Sequence, residues 1–202
     1  MKITGLIACV LTFVTLFAAA APAQNAPPTR IRGTISAIDD KTVTIATREG
    51  NSVKAKLADN WGVALVSSVP LSEIKQGSFV GIASTGTDTD RTALEVLVFP
   101  ESARGSGEGH YAWDLKPQSM MTNATVATVA AASDGQTLKL DYKGGTQTIK
   151  VKPGTPIVTF QPGERADAKV GAKVFIPAAK GADGGLTATR VLVGKGGVTP
   201  PM

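Results

Sequence analysis

Residues 107–115 read GEGHYAWDL and set the chain's single histidine, His110, among Glu108, Tyr111, Trp113 and Asp114, with Arg104 just upstream. Imidazole beside carboxylates offers two chemistries: ligation of a divalent cation, and general base catalysis on an oriented nucleophile. A closed zinc site normally takes four ligands, mostly Cys and His. One His must therefore borrow carboxylates, which makes His110 and Glu108, with Asp114 and Glu101 in reach, the candidate ligands of a weak surface site. For catalysis, His110 would act as the base, Asp114 or Glu108 would orient it, and Ser106 or Ser119 would attack. No G-x-S-x-G elbow is present; no residue is assigned a catalytic role, and neither enzyme activity nor a cofactor is expected.

Two glycine-containing stretches invite further readings. RGSGEG (104–109) lacks the Gly-Lys-Ser/Thr of a phosphate loop, and His110 stands where a dinucleotide fingerprint needs its third glycine. TGTDTDR (85–91) spaces Asp88 and Asp90 as a calcium loop does, but lacks the Gly and the distal Glu, and reads as a solvated hairpin tip. What remains for Arg104, Glu108, His110, Tyr111, Trp113 and Asp114 is ligand binding or the fastening together of two halves. The expectation is a fastener, with Trp113 and Leu115 buried as its anchor.

The elements that must position this stretch repeat. GTISAI (33–38) is answered by ATVATV (124–129), KTVTIATREG (41–50) by QTLKLDYKGG (136–145), and SVKAKL (52–57) by TIKVKP (148–153). IKQGSFVGI (74–82) is answered by AKVGAKVFI (168–176), and TALEVLV (92–98) by TATRVLV (187–193). Matched blocks in one order at a near-constant offset imply an internal duplication. Each block alternates with period two, as half-buried strands do. Asp39-Asp40, Glu49-Gly50-Asn51, Asp134-Gly135 and Gly144-Gly145 mark turns between them. One helical turn is predicted in PLSEIKQG, capped by Ser72 and ended by Gly77, with a counterpart in RADAKVG ending at Gly171.

Each repeat thus reads as three strands, an irregular fourth segment, a short helix and two strands. Short antiparallel strands expose unpaired edges unless the sheet closes. The predicted fold is all-β: two tandem small OB-like antiparallel barrels, joined by an irregular linker, with a single β-sandwich as the alternative. The boundaries are a signal peptide over 1–23, a flexible segment over 24–29, repeat 1 over 30–99, the linker over 100–121, repeat 2 over 122–195 and a tail over 196–202. The elements Gly33 to Ile38, Thr42 to Ile45, Leu71 to Val80 and Thr92 to Val98 resemble a bacterial exported domain-of-unknown-function family. Its members begin G-x-I-x-x-I and close with L-x-A-x-x-V-x-V. That resemblance implies OB-like β-barrel repeats and no particular chemistry. Relatives sometimes carry the label of metal-transporter permease, which this sequence argues against because a permease needs several spanning helices.

Lys2, an apolar run and Ala21-Pro22-Ala23 describe a secretory signal peptide cut after Ala23. LIAC (6–9) only superficially resembles a lipoprotein box, since the apolar run continues past Cys9, the only cysteine. The processed chain would have no disulfide, no thiolate and no membrane span, and would be periplasmic or secreted. The formal charge is +5. It permits an anionic partner without requiring one. Eight aromatics after residue 23, several at core-like strand positions, are too few to suggest the stacking platform of a nucleic-acid binder. Lys54 and Lys56, echoed by Lys150 and Lys152, make short basic rows that suit a cell-envelope protein or an anionic polymer better than nucleic acid. The expected role is an exported, non-enzymatic binding or scaffold protein, with metal handling by Glu108, His110 and Asp114 as the alternative.

Overall fold

The computed structural model describes residues 27–200. The signal peptide, Cys9 and residues 24–26 of the 24–29 segment lie outside them. The protein is all-β. Its strands are β1 (Thr29–Ile38), β2 (Thr42–Thr47), β3 (Ser52–Ser68), β4 (Phe79–Thr87), β5 (Asp90–Val98) and β6 (Gly109–Ala112). They continue with β7 (Met120–Ala132), β8 (Gly135–Tyr142), β9 (Gly145–Val151), β10 (Ile157–Gly163), β11 (Lys173–Lys180) and β12 (Leu186–Gly194). The period-two blocks lie on these strands for the reason the alternation implies. In β2, Val43 and Ile45 are fully buried while Thr42 and Thr44 face the other way. The helical turns are single 3-10 turns, Leu71–Glu73 and Arg165–Asp167. Pro70 and not Ser72 occupies the N-cap of the first, which has no side-chain cap. Gly77 and Gly171 follow at φ 85° and 86°, a conformation that glycine adopts without cost.

All the strands belong to one sheet that winds on itself. β1 lies between β2 and β11, β2 pairs with β3, and β12 pairs with β11 and, in parallel, with β3. These five strands close a barrel. Its interior holds Ile31, Ile35, Val43, Ile45, Val174, Ile176 and Val191. β7 lies between β8 and β4, β8 pairs with β9, and β5 pairs with β4. A short parallel pairing of β5 with β9 completes a second circuit. This circuit surrounds Val80, Ile82, Val96, Ala124, Leu138, Leu140 and Ile149.

The expectation of one barrel per half, in tandem, is not confirmed. Each circuit takes three strands from one half of the chain and two from the other. The registers nevertheless match. Gly33 faces Val174 in one circuit and Ala124 faces Val80 in the other. Thr187 faces Lys56 in one, and Thr92 faces Lys150 in the other. A bulge falls between Ile35 and Ala37 in β1 and between Val126 and Thr128 in β7.

The two segments read from sequence as irregular are what join the circuits. The second half of β3 and the whole of β10 pair antiparallel from Val63 opposite Gly163 to Ser68 opposite Val158. At the middle, Val66 lies opposite Phe160. Beside this ladder a third apolar cluster forms from Ala64, Val66, Leu97, Val158, Phe175 and Leu192, with Phe99, Trp113 and Phe160 packed on it.

Candidate functional site

The stretch from Pro100 to Ser119 is less irregular than its sequence. It opens with a 3-10 turn at Glu101–Ala103, then forms β6, which pairs antiparallel with β7 from Gly109 opposite Asn123 to Ala112 opposite Met120. A turn then returns the chain to β7. Ser119 is buried inside that turn, its Oγ 2.8 Å from the Lys116 carbonyl and 3.1 Å from the Trp113 carbonyl. It clasps the loop and is in no position to act as a free nucleophile.

The candidate residues disperse to separate partners. The Glu108 carboxylate accepts the backbone N–H of Lys143 at 3.0 Å. His110 Nδ1 lies 2.8 Å from the Thr122 hydroxyl, and its ring stacks on Tyr142 at 6.1 Å. Burial holds its imidazole below the usual histidine range; the nearby Arg91 charge adds to this, and Asp88 opposes it. Asp114 accepts from Arg32 at 2.8 Å and lies 3.6 Å from Arg30. Burial pushes the Asp114 carboxyl up, but the Arg32 hydrogen bond and the two guanidinium charges outweigh it and hold it low. Arg104 ties Glu101 at 2.5 Å and donates to the Gly77 carbonyl at 2.9 Å. Among the described residues no group of three His, Cys, Asp or Glu side chains converges as a metal set would. The hairpin carboxylates are likewise engaged, Asp88 with Arg91 at 2.7 Å and Asp90 with Lys150 at 2.9 Å.

This segment grips both circuits. β6 zips to β7 on one side. On the other, Asp114 binds the β1 arginines, and the Arg30 guanidinium sits 3.7 Å from the centre of the Trp113 ring. Such a stacked cation contributes on the order of 1 kcal/mol where it is partly desolvated. Trp113 and Leu115, expected to be buried, are each half-buried.

Trp113 is also a wall. Between the circuits lies a slot of about 190 Å³, lined by Phe99, Tyr111, Trp113, Phe160 and Phe175, with Leu97, Met121 and Leu192 between them. Five aromatics from four separate stretches of chain thus meet at one place. Phe99 contacts Phe160 edge-on at 5.9 Å, and Tyr111 contacts Trp113 at 6.1 Å. Gly81 forms part of the lining, and a methyl there would come within 2.6 Å of the Asn123 side-chain oxygen. Asn123 donates to the Ser106 carbonyl at 3.0 Å and to the Tyr111 hydroxyl at 3.3 Å. Its Oδ1 and the indole Nε1 of Trp113 are buried and have no hydrogen-bond partner among the described residues. Buried polar atoms are rarely left so.

One functional group escaped the sequence reading. Glu95, in β5, alternates as a solvent-facing residue would, yet it is 1% exposed, and neither carboxyl oxygen has a partner among the described residues. Burial raises its carboxyl to about 8, against the opposing charges of Arg32 and Arg48. The available signal was the matched block, which carries Glu95 in TALEVLV and Arg190, on the slot wall, in TATRVLV. Against known proteins, no family model, no curated protein and no solved structure matches the chain.

Proposed function

We propose that the protein is an exported, non-enzymatic binding or scaffold module, and that its ligand presents a ring-sized apolar group to the slot between the two circuits. The observation that carries this reading is the aromatic slot itself. A dry apolar cavity of about 150 Å³ accepts a guest the size of benzene, and the volume here is slightly larger. The orphan donor on Trp113 and acceptor on Asn123 would fix such a guest by one polar group, as ligand sites commonly do. Arg190 on the wall suits a ligand that is anionic beyond its ring, which fits a cell-envelope protein or anionic polymer.

The matching registers of the two circuits support an internal duplication with OB-like strand order, in which the last two strands of each half are exchanged. The resemblance to exported domain-of-unknown-function proteins and the basic, apolar N-terminal segment support an envelope location. No helix among the described residues is long and apolar enough to cross a membrane.

Titration with indole and with p-cresol, followed by NMR of the Trp113 indole N–H, tests the reading. Shifts at Trp113 and Asn123 are expected, and Leu97→Trp, which fills the slot, should remove them. Absence of shifts, or turnover of an ester or glycoside that depends on Glu108 or His110, would overturn it.

A further inference from the structure

We infer that the second circuit holds a small anion, chloride or a carboxylate group, inside its β6 end on the guanidinium of Arg91. The site lies on the inner face of that circuit, separate from the slot, and stands whether or not the slot takes a ligand.

Ser84, Arg91, Thr122 and Gln147 each lie two residues along a strand from Ile82, Ala93, Ala124 and Ile149 of the interior, and so point inward. The matching registers give each a counterpart in the first circuit. Thr122 faces Ile82 as Ile31 faces Ile176, and Ser84 faces Met120 as Ala178 faces Thr29. Gln147 faces Leu140 as Val53 faces Ile45. Thr92, next to Arg91, pairs with Lys150 as Thr187, next to Leu186, pairs with Lys56. The first circuit thus fills this end with Ile31, Val53, Ala178 and Leu186. The second places Thr122, Gln147, Ser84 and Arg91 there, each less than a tenth exposed. The same framework packs with apolar residues at all four positions, and burying polar groups instead is unfavourable unless they are bonded.

Arg91 is 4% exposed. Its Nη2 donates to Asp88 at 2.7 Å, on the exposed tip of the β4–β5 hairpin. Its Nε and Nη1 are buried and have no acceptor among the described residues. A guanidinium stays charged at any ordinary pH and only donates, so Arg91 has no neutral form to retreat to. Leaving the N–H groups of a buried cation without acceptors costs more than leaving neutral ones. The neighbours at this end add further donors. Ser84 and Thr122 bring hydroxyls, and His110, 2.8 Å from the Thr122 hydroxyl, stacks on Tyr142. His110 feels Arg91 more strongly than it feels Asp88, so the field there is net positive. A water molecule would accept an N–H but leave that charge uncompensated. An anion does both, and the enclosure restricts it to a single atom or one small group.

The test uses the purified protein in sodium chloride, in sodium formate and in the sodium salt of a bulky sulfonate, at equal ionic strength. By NMR, the Arg91 Nε–H should shift in chloride, in formate or in both, and half-saturate below about 0.15 M, the physiological ionic strength. His110 should titrate higher in the binding salt than in the sulfonate, by up to about one pH unit, because the anion offsets the Arg91 charge. The Trp113 indole N–H should not move, which separates this site from the slot. Arg91→Leu, which installs the residue of the first circuit, should give one and the same His110 titration in all three salts. An Nε–H unmoved by chloride and formate would leave water as its partner and overturn the inference. A shift equal in all three salts, which is screening, or a salt-dependent His110 titration that persists in Arg91→Leu, would overturn it too. If Arg91→Leu does not fold, the wild-type Nε–H titration decides alone.

Discussion

Replacing Glu95 by glutamine should make the protein more stable at neutral pH while leaving it unchanged in acid. The carboxyl is enclosed, with no hydrogen-bond partner among the described residues, and titrates at about 8 against 4.5 for an ordinary glutamate. The folded state therefore keeps its proton over a range in which the unfolded chain has lost it. The unfolded state binds fewer protons there, so stability falls as pH rises. This contribution is complete below about 4.5 and has gone once the pH passes about 8. The gap of three to four pH units corresponds to about 5 kcal/mol, with about 3 kcal/mol lost by pH 7. Against a typical domain stability of about 5–15 kcal/mol that is a large fraction. The amide side chain would keep the shape and the neutral polarity but have no proton to lose. Glu95→Gln should raise stability at pH 7 by about 3 kcal/mol, or Tm by about 6–12 °C for a chain of this size. Denaturant unfolding of both proteins at several values between pH 4 and pH 8.5 measures the difference directly. His110, whose imidazole burial holds below the ordinary value, contributes with the opposite sign, but it is common to both and cancels. Parallel curves, or a Glu95→Gln protein less stable than wild type at pH 8, would show Glu95 ionised and paired with Arg32 or Arg48 in the folded state, contrary to what its burial implies.

Three further outcomes are expected. Trp113→Ala should lower stability by about 2 kcal/mol, below the 3–5 kcal/mol of a fully buried tryptophan because the ring is half-buried; thermal melts would show it, and a wild-type Tm would mean that Trp113 serves a ligand alone. His110 should titrate below 6.5 by NMR, since burial and Arg91 disfavour its cation; its contribution to stability is then present above about 6.5 and lost as pH falls through the folded value. Gly33→Ala should destabilise by about 1–3 kcal/mol as an overpacking change, because the added methyl would sit 2.1 Å from the Ala46 carbonyl oxygen. Ala124 at the corresponding position in β7 is fully buried, and Ala124→Gly should cost about 1–2 kcal/mol through the lost methyl and the freer backbone, read as a lower urea midpoint.

The segment GEGHYAWDL shows how far sequence alone carries. Its resemblance to a small active site came from residue types, and types say nothing about where side chains point. Glu108 binds a backbone amide, His110 a threonine and Asp114 two arginines of β1, because only His110 lies within β6, while Glu108 and Asp114 sit in the turns on either side of it and meet different neighbours. Arg104 reaches the Gly77 carbonyl, Asp114 reaches Arg32, and Trp113 lies under Arg30. The aromatic slot was not legible, since Phe99, Tyr111, Trp113, Phe160 and Phe175 are far apart in the chain and each fits a strand or loop on its own terms.

What could be read from the chain was local: which stretches are strands, which face of each is apolar, where the turns fall, and that blocks recur in one order. Those properties follow from side-chain alternation and backbone preference, which act over a few residues. Which strand pairs with which was settled only by tertiary packing. Val80 against Ala124 and Val174 against Gly33 are ladders of the same kind whether or not the last two strands are exchanged between halves. An alternation pattern cannot distinguish them, because both arrangements bury the same apolar faces. The course of the chain distinguishes them: β3 runs on past Trp61 to Ser68 and pairs with β10, carrying each half across to the other. That crossing brings five aromatics together at one slot.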